Sequence, residues 1–228
     1  MLKKTVLALA ICTLAATAVQ ASEITGYATY SIGHVKAKMP KIAKIELSDY
    51  KEIGGQTSSD RSSTGHKIVV GLNVHSYIAL EAQYTDLGKS HYKGSFSGLT
   101  GLGTPVTFDD KLSLKTSGFG ANIVGKYPIQ DFTLFTKAGY HLMRTKINLK
   151  DSWVTPLGSY KDSVSKTVNK WVPSFGVGAS YNLTPELAIV TEYERYQGVG
   201  NKKVNVDDEK MSFKHDIDFV SVGLRYNF

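Results

Sequence analysis

Apolar residues recur at every second position in eight segments of the chain. In the last segment, the apolar face consists of Val220, Val222, Leu224, Tyr226 and Phe228, and the opposite face of Ser221, Gly223, Arg225 and Asn227. A period of two is typical of β-strands with one apolar face. The eight segments are residues 27–35, 67–74, 78–85, 118–127, 132–143, 174–181, 187–196 and 218–228. The pattern predicts an all-β chain.

Long and short connections alternate between these segments. Polar, Gly-rich stretches near residues 38–65, 88–111, 148–170 and 198–215 predict four long loops. Between them lie short turns at residues 75–76, 128–131 and 182–186. Because strands of about 10 residues cross a membrane when tilted, this order predicts an eight-stranded antiparallel up-and-down transmembrane β-barrel.

The second face of the segments carries charges and glycines. It holds Glu81, Glu192 and Glu194 together with Lys67, Lys126, Lys137 and Arg225. Since an eight-stranded barrel has an interior just wide enough for side chains, the sequence predicts a charge network there, formed by Glu81, Lys126, Lys137, Glu192, Glu194 and Arg225. A secreted barrel of lipocalin type is the alternative, and it would need a polar outer face and an apolar cavity.

Aromatic residues cluster where the short turns are predicted. They are Tyr27, Tyr77, Tyr127, Phe132, Tyr181 and Phe228. Aromatic girdles lie at the membrane interfaces of such barrels, so we expect these six side chains to form one.

The first 21 residues have the features of a secretory signal peptide. Lys3 and Lys4 precede an apolar stretch, and small residues lead to a predicted cleavage between Ala21 and Ser22. Residues 22–228 then form one barrel domain. Cys12 is the single cysteine and lies in the predicted signal, so we expect no thiol chemistry in the mature chain.

Charge and motifs exclude several function classes. Removing Lys3 and Lys4 lowers the formal charge from +7 to +5, an excess that is spread along the chain, and no nucleic-acid-binding motif accompanies it. No phosphate-binding Gly-rich loop or helical metal-ligand spacing is present, and the six histidines are scattered, so we expect no cofactor, no metal and no enzymatic activity.

Three segments resemble the transmembrane domain of the OmpA-like family: residues 77–88 (YIALEAQYTDLG), 127–131 (YPIQD) and 183–193 (LTPELAIVTEY). The ending VGLRYNF is similar to that of the opacity-type adhesins and porins of the same superfamily. The resemblance implies a bacterial outer-membrane location among lipid and lipopolysaccharide. It also implies recognition by the barrel-assembly machinery through the C-terminal strand residues Val222, Leu224, Tyr226 and Phe228.

The sequence departs from the OmpA-like pattern at the family's interior salt-bridge gate. Glu81 matches one acidic residue of that gate, but Val190 and Val124 stand at the positions of its arginine and lysine, and Ser180 at the second acidic position. The gate is therefore not carried over.

The resemblance and the lysine-containing long loops favour a surface-exposed structural or interaction protein with adhesin-like loops on a rigid barrel. Its expected partners are outer-membrane lipid and lipopolysaccharide, and a host receptor or glycan bound through the loops. The alternative is a small or gated porin for passive diffusion of small solutes. An eight-stranded interior leaves little lumen, whereas open porins use about 16 to 18 strands.

Overall fold

The computed structural model describes residues 25–99, 103–206 and 209–228. The strands are β1 Thr25–Ala37, β2 Gln56–Asp60, β3 Ser62–His75, β4 Ile78–Leu99, β5 Pro105–Ile129, β6 Phe132–Thr155, β7 Gly158–Asn182, β8 Leu187–Val199, β9 Lys203–Val206, β10 Glu209–Ser212 and β11 His215–Asn227. A helix, α1, spans Lys41–Glu52. No helix among these residues is long and apolar enough to cross a membrane.

Eight of the described strands close into an antiparallel ring. The order around it is β1, β3, β4, β5, β6, β7, β8 and β11, and β11 pairs back onto β1 from Tyr27 opposite Asn227 to Ala37 opposite Ile217. The short β2 extends the sheet beside the outer part of β4. The predicted eight-stranded up-and-down barrel is confirmed, and closure leaves the ring without an unpaired edge.

The lower part of the barrel turns its apolar face outward. Ile123 and Val177 expose 63% and 57% of their surface, whereas Lys67 and Glu194 in the interior expose 1% and 0%. A surface of exposed Ile, Val, Leu and aromatic side chains is stable in hydrocarbon, where a closed barrel also satisfies every backbone hydrogen bond.

Four strands continue far beyond the membrane and reverse their polarity as they do so. β4 to β7 have 22 to 25 residues each, about twice the length that crosses a bilayer. On β5, Phe119 and Ile123 point outward within the membrane part, but Leu112 and Leu114 are buried inside the outer part, where Lys111 is exposed. The extension is therefore a water-exposed sheet formed by β4 to β7, continuous with the wall of the membrane barrel.

The predicted long loops are largely folded, so their boundaries need correction. Residues 88–111 lie mostly in β4 and β5, and residues 148–170 lie mostly in the β6–β7 hairpin, which turns at 156–157. Residues 38–65 contain α1, β2 and the start of β3, and residues 198–215 contain the β9–β10 hairpin. Sequence reasoning missed these strands because their outer face needs no apolar residues above the lipid.

The aromatic girdle is present at the short-turn end, except for Tyr27. Tyr77, Tyr127 and Phe132 expose more than half of their surfaces, but Tyr27 exposes 1% and points into the barrel. Its predicted place in the girdle is wrong, because residue 27 shares the inward face of β1 with Thr29 and Ser31. The predicted cleavage at Ala21 and Ser22 lies outside the described residues and stays a prediction.

Candidate functional site

The centre of the membrane barrel contains two lysines and three glutamates in direct contact. Lys67 Nζ on β3 lies 2.8 Å from Glu192 Oε2 and 3.2 Å from Glu194 Oε2, both on β8. Lys137 Nζ on β6 lies 2.7 Å from Glu192 Oε1 and 3.3 Å from Glu81 Oε2 on β4. Four strands from opposite sides of the ring are thus linked across the lumen.

Polar side chains occupy the remaining hydrogen-bonding positions of this network. Gln83 Nε2 donates to Glu194 Oε2 at 3.0 Å and to Tyr196 Oη at 2.7 Å. Asn122 Nδ2 donates to Gln83 Oε1 at 2.9 Å and to Glu81 Oε2 at 3.2 Å. Hydrogen bonds of this kind offset part of the desolvation of the buried ions.

Arg225 reaches the network through an aromatic ring rather than a carboxylate. Its guanidinium lies 4.1 Å from the ring centre of Tyr27, and Tyr27 Oη donates to Glu81 Oε1 at 2.8 Å. Lys126 lies lower in the barrel, where Nζ donates to Asn73 Oδ1 at 2.5 Å. The structure therefore brings together Glu81, Lys137, Glu192 and Glu194 of the predicted set, and places Lys126 and Arg225 apart from them.

Sequence reasoning missed two members of this region and left Lys67, although on the interior face, out of the predicted charge network. Tyr27 and Tyr196 both expose 1% or less, and both occupy inward positions on their strands. The alternation itself identifies them, since Tyr196 follows Glu192 and Glu194 at the same spacing. Because Tyr27 is aromatic, the sequence favoured a place for it at the lipid interface.

Packed layers above and below the network fill the barrel, as β6 illustrates. Phe135 belongs to an apolar cluster below the ions, with Val124 and Val190 at the two positions where the OmpA-like gate would have basic residues. Met143 belongs to a cluster above the ions, and Ile147 to a third cluster in the extension. Ionic and apolar layers thus alternate along the barrel axis.

Helix α1 packs on the third of these layers. Ala43 is fully buried, with Ile42 and Leu47 partly buried against the cluster of Tyr92, Leu112, Leu114, Ile147, Val168 and Phe213. The helix follows β1 directly and returns to the barrel through β2. It therefore covers part of the extracellular mouth.

A group of acidic side chains faces α1 from the barrel wall. Burial, together with the neighbouring carboxylates of Asp110, Asp151 and Asp49, raises the pKa of Glu46 to about 7. Tyr50 Oη donates a short hydrogen bond to Asp110 Oδ2, and burial followed by this bond raises the pKa of Tyr50. We therefore expect the docking of α1 to depend on the protonation of Glu46 near neutral pH.

The outer end of the extension forms an open trough of about 630 Å³. Its charged lining residues are Lys93, Lys111, Lys150, Lys161, Asp109, Asp110, Asp151 and Asp162. Nearby, Trp153 and Tyr160 each expose more than half of their surface, with ring centres 5.9 Å apart. Within the described ranges, no group of three or more His, Cys, Asp and Glu side chains is positioned to hold a metal ion.

The residues predicted as an assembly signal lie on the lipid side of the closing strand. Val222, Leu224 and Tyr226 alternate outward on β11, and Phe228 pairs with Gly26 through two backbone hydrogen bonds of 2.8 Å. Their role in assembly stays a prediction.

A closed antiparallel ring with an apolar exterior and an ionic interior defines the class of transmembrane β-barrel proteins. The outer membrane protein beta-barrel domain matches residues 5–228 of this sequence, and the chain belongs to that family. It is a protein of the bacterial outer membrane.

Outer membrane protein A of Shigella flexneri is 26% identical over 196 residues, which are 82% of this chain and 47% of that protein. The chain thus spans about half the length of this curated relative. An uncharacterized protein of Coxiella burnetii (strain RSA 493 / Nine Mile phase I) is 21% identical over 220 residues, which are 90% of this chain and 84% of that protein. The similarity to the crystal structure of Neisserial surface protein A covers 89% of this chain and 97% of that protein's chain, with 15% sequence identity and a TM-score of 0.46.

Proposed function

We propose that this protein is a non-enzymatic, surface-exposed interaction protein whose extracellular extension binds a glycan on another cell. The length of β4 to β7 carries the proposal. Strands of 22 to 25 residues exceed by more than a factor of two the roughly 10 residues that a membrane crossing requires. The excess forms a rigid platform outside the cell rather than a longer channel.

The chemistry of the tip supports a carbohydrate partner. Trp153 and Tyr160 offer exposed aromatic faces on which a sugar ring can stack, and the trough beside them offers both ammonium and carboxylate groups for hydroxyl hydrogen bonds. Lys161 and Asp162 lie beside Tyr160 in sequence and both line the trough. This combination suits a polar ligand with a flat apolar face.

His91 and Ser113 are the residues most similar to a catalytic base and its nucleophile, but the structure gives little support for catalysis there. His91 Nδ1 lies 2.8 Å from Ser113 Oγ, and Asp60 is the cross-strand neighbour of His91. However, these residues lie within a regular sheet, whose backbone N–H groups bond to neighbouring strands and are not available to stabilise an oxyanion. A cross-strand hydrogen bond accounts for the pair.

Passive diffusion is the competing function, and the packing of the lumen weighs against it. The Lys67–Glu192–Lys137 contacts cross the interior, and apolar layers lie on both sides of them. We expect purified protein in planar bilayers to give no conductance steps above the empty bilayer. Regular steps that persist in a variant lacking the extension would instead favour the porin.

The adhesion test removes the extension while leaving the barrel intact. Replacing residues 92–112 and 147–166 by two-residue turns joins positions that are already paired, His91 with Ser113 and Lys146 with Thr167. We expect bacteria that display the full protein to bind immobilised cell-surface glycans, and bacteria that display the trimmed barrel at equal density not to bind them. A Trp153→Ala, Tyr160→Ala variant provides the finer comparison.

Equal binding by the full and trimmed proteins would refute the proposal. The control is a barrel in which α1 alone carries three substitutions, Lys41→Gln, Lys44→Gln and Lys51→Gln, because these exposed residues lie on the other part of the extracellular end. This control is expected to bind as the full protein does.

A further inference from the structure

The cations inside the barrel divide into two groups with different surroundings. Lys67 and Lys137 belong to the central network, where their ammonium groups contact glutamates. Lys126 and Arg225 lie outside that network, and within the described part of the chain no carboxylate oxygen comes within 4.0 Å of their charged nitrogens. Two positive charges are therefore left in the lumen without a counter-charge from the protein.

Strand register locates both side chains at the short-turn end of the lumen. The backbone N–H of Lys126 donates to the carbonyl oxygen of Tyr77, in the first short turn, at 2.8 Å. Arg225 is paired with Ala188, the second residue of β8 after the last short turn. Short turns lie on the periplasmic side of outer-membrane barrels, so this end of the lumen opens toward the periplasm. We call it the periplasmic mouth.

An apolar layer separates the periplasmic mouth from the central network. Tyr27 and Phe135 belong to this buried layer. The guanidinium of Arg225 lies 4.1 Å from the ring centre of Tyr27 and 5.9 Å from that of Phe135. Lys126 is the direct cross-strand neighbour of Phe135. Both cations therefore flank the same aromatic ring, which forms part of the floor of the mouth.

Arg225 is held in place while part of its donor set stays unused. Its Nε donates to Thr29 Oγ1 at 3.2 Å, and the Tyr27 ring covers the guanidinium. The two terminal nitrogens have no acceptor among the described residues and are not buried, so both are open to water. Lys126 Nζ donates to Asn73 Oδ1 and has two further protons to donate. A guanidinium fork together with an ammonium group is a donor set that suits an oxyanion.

The rest of the periplasmic mouth is polar and uncharged. Described side chains on the inward face of the strands at this end are Thr133, Ser180, Asn182 and Asn227. Asp131 and Glu186 are the nearest described carboxylates in sequence at this end, and both lie in the short turns without an ion pair to either cation. The described part of the mouth thus presents a charge of about +2 above an apolar floor.

We propose that the periplasmic mouth binds the phosphate group of a small solute through Arg225 and Lys126. A phosphate group carries a charge of about −2 above pH 7 and so matches both cations, whereas one carboxylate leaves a cation unmatched. The apolar floor lets the group dock but not pass. A phospholipid headgroup has the same chemistry, but it lies outside the ring of strands, and both cations point into the ring. The site is at the opposite end of the protein from the trough proposed for the glycan, and the two proposals are independent.

The test is a titration of the folded protein with inorganic phosphate at about pH 7.5 and constant ionic strength, in micelles of a non-ionic detergent that contains no phosphate. Two-dimensional NMR of the backbone amides reports the binding. We expect the amides of Thr29, Asn73 and Lys126 to shift along one saturable curve, and the amides of the extension to stay in place. Acetate has a single charge and is expected to bind at least about tenfold more weakly.

Substitutions of the two cations test the assignment. Lys126→Met and Arg225→Met each remove a charged donor and are expected to weaken phosphate binding by about tenfold or more. Arg225→Lys keeps the charge but loses the fork, so we expect a smaller loss of about threefold. If Arg225→Met does not fold, Lys126→Met alone carries the comparison. The matched control is Lys115→Met, on the outer face of the same strand as Lys126, which is expected to bind phosphate as the wild type does.

Three outcomes would overturn the inference. The first is that phosphate shifts no amide at the periplasmic mouth, or that the methionine variants of the two cations bind it as Lys115→Met does. The second is that acetate binds as tightly as phosphate, because matching of the two charges would then play no part. The third is that a soluble short-chain phosphatidylglycerol shifts the same amides and binds more tightly than inorganic phosphate, because the site would then serve a lipid headgroup.

Discussion

The ionic cluster that crosses the lumen makes a quantitative prediction about Lys137→Met. Lys137 Nζ contacts Glu192 at 2.7 Å and Glu81 at 3.3 Å, and the side chain exposes 1% of its surface. The wild-type cluster has two lysines against three glutamates, a formal charge of −1, which the substitution changes to −2 while approximately keeping the side-chain volume. Removing one partner of a buried ion pair typically costs about 3–5 kcal/mol, because the remaining charges stay in a low-dielectric environment.

The measurement is reversible urea unfolding of the barrel in lipid vesicles or micelles, followed by circular dichroism and tryptophan fluorescence. We expect the free energy of unfolding to fall by about 3 kcal/mol or more in Lys137→Met. The control is Lys126→Met, which removes a half-buried lysine that donates a hydrogen bond to Asn73, and its cost is expected to be about 1 kcal/mol.

A double substitution tests whether charge is the cause. Lys137→Met with Glu192→Gln leaves one lysine against two glutamates and returns the cluster to −1. We expect it to be more stable than the sum of the single effects by about 1–3 kcal/mol. The reasoning is wrong if Lys137→Met costs no more than Lys126→Met, or if the two single effects simply add.

Two further predictions concern α1 and the packing of Tyr27. Because the folded-state pKa of Glu46 is raised to about 7, the protonated side chain stabilises the docking of α1. This stabilisation is fully present below about pH 4.5 and is lost as the pH rises through 7. After allowance for screening by water, it amounts to about 1–2 kcal/mol. After correction for the intrinsic pH dependence of exchange, the protection of the α1 amides should therefore fall between pH 6 and 8 in the wild type and stay constant in Glu46→Gln, and an equal change of protection in both would contradict the assignment. Gly71→Ala would bring a Cβ to 2.1 Å from Tyr27 Cζ, so we expect a loss of about 1–3 kcal/mol in the same urea assay. Gly125→Ala, where the nearest atom lies at 3.6 Å, is the control and should cost less than about 1 kcal/mol, and equal costs would show that Tyr27 is free to move.

The sequence determined the membrane barrel because lipid imposes a strict pattern. A strand in hydrocarbon must turn apolar residues outward, so Ile123, Val177 and Val222 report the outward face directly, and the same alternation identifies Glu81, Lys137, Glu192 and Glu194 as interior residues. The number and order of these strands followed from the same pattern.

Only the tertiary structure decided the extension and the contacts within the interior. Above the membrane the outer face meets water, so polar residues such as Lys111 and Lys150 replace the apolar ones and the contrast that marks a strand fades. Tyr27 could not be assigned from its type, because an aromatic ring is equally suited to a lipid interface and to a packed interior opposite Gly71. Which ions meet depends on strands far apart in sequence: Lys67 and Glu194 are 127 positions apart and lie 3.2 Å apart because the ring closes. Closure sets which side chains of distant strands meet, and the local alternation of residues does not specify those contacts.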